Sequence, residues 1–145
     1  MTKPKWVVYS SLALSLVGLG VSTYLTIAHF NEHVVLACPE NSTINCQKVT
    51  TSAESHFLGI PVAILGLLFY IFMVTVNLPM MWRRSSLEIP RLVASLLGVG
   101  FILWLVYSEL VLIKAICLWC TSIHITTLAL FLVLLYAQVT YRDLD

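Results

Sequence analysis

Two pairs of cysteines are the residues of this chain best suited to chemistry. Cys117 and Cys120 are separated by two residues, and Cys38 and Cys46 are separated by seven. A CxxC at the beginning of a helix brings its sulfurs within disulfide range, and the helix N-terminus favours the thiolate that thiol–disulfide exchange requires. The wider pair alone is typical of a static disulfide. Beside a CxxC at the same surface, it favours a relay of disulfides.

The elements that position these cysteines are predicted to be helices in a lipid bilayer. Of the 145 residues, 59% are hydrophobic and 10% are charged, whereas a soluble chain is about one quarter charged. A net charge of +1 with scattered cations gives no indication of nucleic-acid binding. Uncharged stretches long enough to span a bilayer predict four helices, at about residues 6–28, 57–81, 91–112 and 117–140. The third extends past Glu109, whose carboxylate is expected at the membrane interface.

The predicted fold is therefore an all-α membrane protein, with one four-transmembrane-helix domain over residues 1–145. Lys and Arg in short loops set the orientation of such a bundle. Six of them fall on one side, which predicts cytoplasmic termini in a cytoplasmic (inner) membrane: Lys3, Lys5, Arg83, Arg84, Arg91 and Arg142. All four cysteines then lie on the outer side, where disulfides persist, and the loop at residues 29–56 faces outward.

The order of these motifs resembles the vitamin K epoxide reductase family in its bacterial form. The resemblance covers nearly the whole chain, and its most specific part is the four cysteines with a serine six residues after the second. The matching residues are Cys38, Cys46, Ser52, Gly59-Ile60-Pro61, Gly66, Cys117 and Cys120. The resemblance implies a four-helix bundle around a quinone, with the outer loop as its cap.

Bacterial members of that family reoxidise a thioredoxin-fold disulfide donor while they reduce a membrane quinone. The resemblance thus implies a thiol oxidoreductase that uses ubiquinone or menaquinone as electron acceptor. Its partner is expected to be a separate DsbA-type thioredoxin-fold protein, because the chain ends at Asp145. By the same resemblance, Cys38 exchanges with the partner, Cys46 passes the disulfide to Cys117, and Cys120 faces the quinone.

Three further residues are candidates for contact with the quinone. The resemblance gives Ser52 the role of holding the cap or orienting the quinone, and the alternative is a local turn bond to the backbone. His124 lies four residues after Cys120, on the same helix face, where an ionisable residue indicates function and can bond a quinone carbonyl or deliver a proton. Its alternative is a histidine satisfied by a neighbouring helix. Trp119 belongs either to the interfacial aromatic belt or to an apolar pocket wall.

This chain departs from animal members of the family at two positions. It has Pro61-Val62-Ala63 where animal members have an asparagine, and His124 where they have a tyrosine.

Two other classes of protein use similar cysteine pairs. The DsbB-type quinone-linked oxidase has its CxxC in the first outer loop, whereas here the CxxC comes last. A thiolate-based metal transporter or sensor is the alternative from another class. It is disfavoured because zinc sites usually combine two short-spaced cysteine pairs, so no metal ligands are assigned.

Overall fold

The structure, a computed structural model, describes residues 3–31 and 33–142, so both ends of the predicted domain, residues 1–2 and 143–145, lie outside the described residues. The described part is mostly helical. Its α-helices are α1 (Lys5–Phe30), α2 (Cys46–Thr51), α3 (Val62–Asn77), α4 (Glu88–Tyr107) and α5 (Leu118–Tyr141). Between α2 and α3, β1 (His56–Phe57) pairs with β2 (Ile60–Pro61) in a small antiparallel sheet. A π-helix, Ser108–Ile113, continues α4.

Three helical segments in the described ranges are long and apolar enough to cross a membrane. They are Lys5–Phe30, Ser85–Ile113 and Leu118–Tyr141. Many of their apolar side chains point outward, for example Leu97 and Val139, which are 70% and 69% exposed. Such an exterior suits a lipid solvent, since in lipid all backbone polar groups must be satisfied internally and helices achieve this. The predicted helical fold with apolar helices of membrane-spanning length is thereby confirmed for three of the four predicted spans.

The second predicted span is shorter than expected. Its helix covers Val62–Asn77, which is 16 residues rather than the predicted stretch 57–81. It begins late because Leu58 and Gly59 have positive φ angles of 53° and 82° and turn the chain between β1 and β2. It ends early because Pro79 disfavours the helical conformation at the residue before it. At about 1.5 Å per residue, α3 alone is shorter than a bilayer core of about 30 Å.

Small residues on α1 allow the bundle to pack closely. Helix α1 packs against α3 and α5, and α4 packs against α5. Gly18 of α1 lies directly against the ring of Tyr70 on α3, because a Cβ atom built on Gly18 would lie 1.9 Å from that ring. One turn further, Ser22 is also buried and donates to the carbonyl of Gly18 at 2.6 Å. These contacts are the close approaches that small residues permit between membrane helices.

The two ends of the bundle differ in chemistry. At one end, the Arg91 guanidinium donates to the carbonyl of Val76 at 2.5 Å and lies 3.9 Å above the Trp82 ring. At the same end, Lys3 pairs with Glu88 at 3.4 Å. The opposite end carries the loop between α1 and α2 and the beginning of α5, so the cysteines are gathered there.

Candidate functional site

A short backbone pairing joins the loop cysteines to the CxxC segment. Ile44 forms an isolated parallel β-bridge with Ile116. The N–H of Ile116 donates to the carbonyl of Thr43 at 2.9 Å, and the N–H of Asn45 donates to the carbonyl of Ile116 at 3.0 Å. Because Asn45 precedes Cys46 and Ile116 precedes Cys117, this bridge holds both cysteine-bearing segments side by side.

Cys38 and Cys46 form a disulfide, with 6.2 Å between their Cα atoms. Cys46 opens α2 and is 1% exposed, whereas Cys38 is only partly buried. The side chain of Asn45 caps α2 by accepting the N–H of Lys48 at 2.8 Å. One sulfur of the pair is therefore accessible from the surface, and the other faces the interior.

Cys117 and Cys120 are free thiols at the beginning of α5. Cys117 is the N-cap residue of that helix, and its Sγ accepts the N–H of Cys120 at 3.2 Å. It is 0% exposed and packs in one apolar cluster with Cys46, while Cys38 and Cys120 pack against the same cluster. The structure thus brings together all four cysteines that the sequence singled out.

The pKa of the Cys117 thiol lies below its ordinary value. The largest cause is the hydrogen bond from the Cys120 side chain, and the N–H groups of Cys120 and Trp119 act in the same direction. Burial and the negative charge of Glu109 oppose this shift. The thiolate is therefore favoured at Cys117, the first cysteine of the CxxC.

Glu109 connects the CxxC to His124. Its Oε2 accepts the N–H of Cys117 at 3.4 Å, and its Oε1 lies 3.9 Å from His124 Nε2. Glu109 is 6% exposed and His124 is 7% exposed, so both belong to the interior of the bundle. Glu109 reaches this position because it lies in the π-helix at the end of α4, immediately before the turn into α5.

A largely apolar cavity of about 590 Å³ lies next to Cys120. Its lining comes from α1, α3, α4 and α5 and from the segment between α1 and α3, including the β1–β2 turn. The polar residues in its lining include Glu109, His124, Tyr70 and Thr127. The hydroxyls of Tyr70 and Thr127 are hydrogen-bonded to each other at 2.6 Å. A cavity of this size and lining suits a flat apolar molecule with a few polar atoms.

Of the three predicted quinone contacts, only His124 lines this cavity. The Ser52 hydroxyl donates to the carbonyl of Val49 at 2.8 Å, which is the local turn bond that was the alternative for this residue. Trp119 Nε1 donates to the carbonyl of Ala37 at 2.9 Å, next to Cys38, and its ring packs against Tyr24. Ser52 and Trp119 thus hydrogen-bond the backbone of the segment between α1 and α3 and do not line the cavity.

Sequence reasoning did not assign Glu109 a role in the site, and it missed Tyr70 and Thr127 altogether. For Glu109 the signal was present, since a carboxylate beside an apolar span indicates function when it faces the interior. Its position suggested a carboxylate at the membrane interface instead. Tyr70 and Thr127 carry no such signal, since their contact depends on how α3 and α5 pack. Within the described ranges, no group of three or more His, Cys, Asp or Glu side chains is arranged to hold a metal ion.

Comparison with known proteins gives one family. Residues 9–135 match the model of the Vitamin K epoxide reductase family, which covers most of the chain. No curated protein gives a significant match.

Proposed function

Because this chain belongs to the vitamin K epoxide reductase family, and is thus a membrane thiol–disulfide oxidoreductase, we propose that it oxidises a thioredoxin-fold partner and reduces a membrane quinone. The observation that carries the proposal is the gathering of all four cysteines around one buried cluster, which supplies a route for exchange. This route runs from the accessible Cys38, through the buried Cys46 and Cys117, to Cys120 at the wall of an apolar cavity.

The relay transfers two electrons inward in each step. A thiolate of the partner attacks Cys38 and releases Cys46, and a second partner thiolate then breaks this mixed disulfide, so the partner leaves with its own disulfide. The Cys46 thiolate then attacks Cys117 in an oxidised CxxC and releases Cys120. Cys38 attacks Cys46 in turn, which re-forms the loop disulfide and releases Cys117. The described state has the loop pair oxidised and the helix pair reduced. In this relay, that is the state ready to reduce the quinone.

The residues around the cavity fit a quinone such as ubiquinone or menaquinone. Apolar walls suit the ring and the beginning of an isoprenoid tail, and His124 and Glu109 supply polar atoms beside Cys120. A bound quinone supplies an acceptor for two electrons and two protons. Cys120 would face the bound quinone and His124 would hydrogen-bond to it, while Ser52 and Trp119 would hold the loop over the site.

Four membrane crossings with both termini in the cytoplasm agree best with this chemistry. Helix α3 is short, but the 3₁₀ turn Pro79–Arg83 lengthens the apolar segment toward the end that carries Arg91. The Lys and Arg residues concentrate at that end, as expected for the cytoplasmic side of an inner membrane. The cysteines then face the oxidising compartment, where a DsbA-type partner can reach Cys38.

A trapping experiment tests the proposal. The Cys46→Ser variant retains Cys38 but lacks the thiol that resolves a mixed disulfide. Expressed in its host and quenched with acid, the variant should give a higher-mass band on a non-reducing gel that reductant removes and that contains a thioredoxin-fold protein. The Cys38→Ser/Cys46→Ser variant is the matched control and should give no such band.

Two results would contradict the relay. One is the absence of a trapped band together with a loop disulfide in the wild type that is inert to exchange. The other is a purified protein that carries stoichiometric metal, which would favour the thiolate-based metal transporter or sensor.

A further inference from the structure

Glu109 is a buried carboxylate that the disulfide relay does not use. It is 6% exposed, it lines the cavity, and it lies between the CxxC and His124. Its two carboxylate oxygens have different neighbours. Oε2 accepts the N–H of Cys117 at 3.4 Å, and Oε1 approaches His124 Nε2 to 3.9 Å. Burial of a charged carboxylate is costly, so an ionisable residue inside a membrane bundle indicates a use.

We propose that Glu109 carries protons from the CxxC dithiol toward the cavity, with His124 as the next group. The inference rests on the proposed function, since only quinone reduction at this cavity requires such a transfer. In the proposed reaction the cysteines transfer the electrons, and Glu109 transfers the protons.

The proton balance sets what Glu109 must do. When the Cys117–Cys120 bond forms, two S–H bonds break, and two electrons and two protons leave the dithiol. Reduction of a quinone to a quinol consumes the same two electrons and two protons. Ionised Glu109 accepts a proton released by the dithiol and passes it to His124 or directly to the cavity, and it returns to the ionised form. No further oxidant or reductant is needed.

Other ionisable groups face the same space. His124 on α5 lies 3.9 Å from Glu109, the N–H of Cys117 donates to Glu109 from the turn before α5, and Cys120 lines the same cavity. Glu54 and His29 lie elsewhere in the cavity lining. Among these groups, Glu109 is the one with contacts both to the CxxC backbone and to His124.

A purely structural role for Glu109 is the competing explanation. Its carboxylate lies at the beginning of α5, where an oxygen acceptor stabilises unpaired N–H groups. The Glu109→Gln variant separates the two roles. Glutamine retains an oxygen that accepts the Cys117 N–H, but its amide cannot carry a proton.

The first measurement needs no quinone. In a Cys38→Ser/Cys46→Ser background, the ultraviolet absorbance of the thiolate is followed against pH in the reduced protein. The negative charge of Glu109 raises the pKa of Cys117, so Glu109→Gln should move the thiolate titration to lower pH. The matched control is Glu40→Gln, an exposed carboxylate in the loop, which should leave the titration unchanged. An unchanged curve in Glu109→Gln would overturn the coupling between Glu109 and the dithiol.

The second measurement is a single turnover with a short-chain ubiquinone in the same background. Glu109→Gln should reduce it about 100-fold more slowly, a loss typical of a missing proton-transfer group, and should lose the pH dependence that the carboxylate gives. Glu109→Asp, which retains the carboxylate, should recover part of the rate. If neither the Cys38→Ser/Cys46→Ser protein nor its Glu40→Gln variant reduces the quinone, the proposed function fails and this inference fails with it. If they do, and Glu109→Gln matches their rate and pH profile, this inference alone fails.

Discussion

Ile44 and Ile116 pair in a parallel β-bridge that fixes the loop cysteines relative to the CxxC. Each partner lies one or two residues before a cysteine, Cys46 in the loop and Cys117 at α5. Exchange requires that two sulfurs touch, so a backbone connection at this point restricts which pair can meet. The bridge favours Cys46 with Cys117, the two cysteines that share one buried cluster.

A variant that retains only these two cysteines should form the inter-element disulfide. In Cys38→Ser/Cys120→Ser, mild oxidation should link Cys46 to Cys117, because the bridge holds both segments together and neither thiol has another partner. Peptide mapping by mass spectrometry of the unreduced protein detects the link.

The matched control for this experiment is Cys38→Ser/Cys117→Ser, which retains Cys46 and Cys120. Cys120 lies within α5 and lines the cavity, so its link to Cys46 should form more slowly. Equal rates for the two variants would show that the bridge does not select the pair.

The Ala37 backbone is held from two sides, and each contact can be removed separately. Its N–H donates to the Tyr24 hydroxyl at 3.1 Å, and its carbonyl accepts Trp119 Nε1 at 2.9 Å. Tyr24→Phe and Trp119→Phe should each cost about 0.5–1.5 kcal/mol of loop stability, the usual net value of one hydrogen bond. Faster amide exchange around Cys38 measures the loss.

Trp104→Phe is the control for the indole substitution. Trp104 lies on α4, where its ring packs against Tyr107. Trp104→Phe should leave amide hydrogen exchange around Cys38 at the wild-type rate. If Trp119→Phe does the same, Trp119 does not hold the loop.

The pH dependence of the CxxC follows from the lowered pKa of Cys117. Because the hydrogen bond from the Cys120 side chain is the largest cause, its loss should raise that pKa toward the ordinary thiol value. In the Cys38→Ser/Cys46→Ser background, Cys120→Ala should move the thiolate titration of Cys117 to higher pH. Cys120→Ser retains a hydroxyl donor and should move it less. A lower pKa in Cys120→Ala would contradict this assignment.

The sequence predicted the cysteine chemistry of the site better than the helix boundaries and contacts that form the cavity around it. The spacing of Cys117 and Cys120 predicted a redox pair at a helix start, and the membrane helices followed from apolar stretches. The boundaries of the second span were wrong, because apolar residues such as Leu58 occur in the turn between β1 and β2 as readily as in a helix. Hydropathy does not distinguish the two, whereas positive φ at Gly59 and the proline at position 79 do.

Contacts between distant elements were beyond sequence reasoning. Trp119 was predicted to belong to a belt or a pocket wall, but its indole bonds the loop at Ala37, 82 residues away in the chain. Glu109 was expected at the membrane interface, because one sequence does not show that the π-helix turns its carboxylate toward Cys117. Such positions depend on helix rotation, which packing decides.

The close packing of α1 and α3 gives the last prediction, with its control on the same helix. A Cβ on Gly18 would lie 1.9 Å from the Tyr70 ring, whereas a Cβ on Gly20 meets no atom within 4 Å. Gly18→Ala should therefore destabilise the protein by about 1–3 kcal/mol through overpacking. Gly20→Ala should be neutral or stabilising by up to about 1 kcal/mol. Thermal unfolding in detergent compares the two variants.

The same substitution should affect the cavity. Because Tyr70 lines the cavity and bonds Thr127, Gly18→Ala should also weaken binding of a short-chain ubiquinone. Equal stability and equal affinity in the two variants would show that Tyr70 yields without cost.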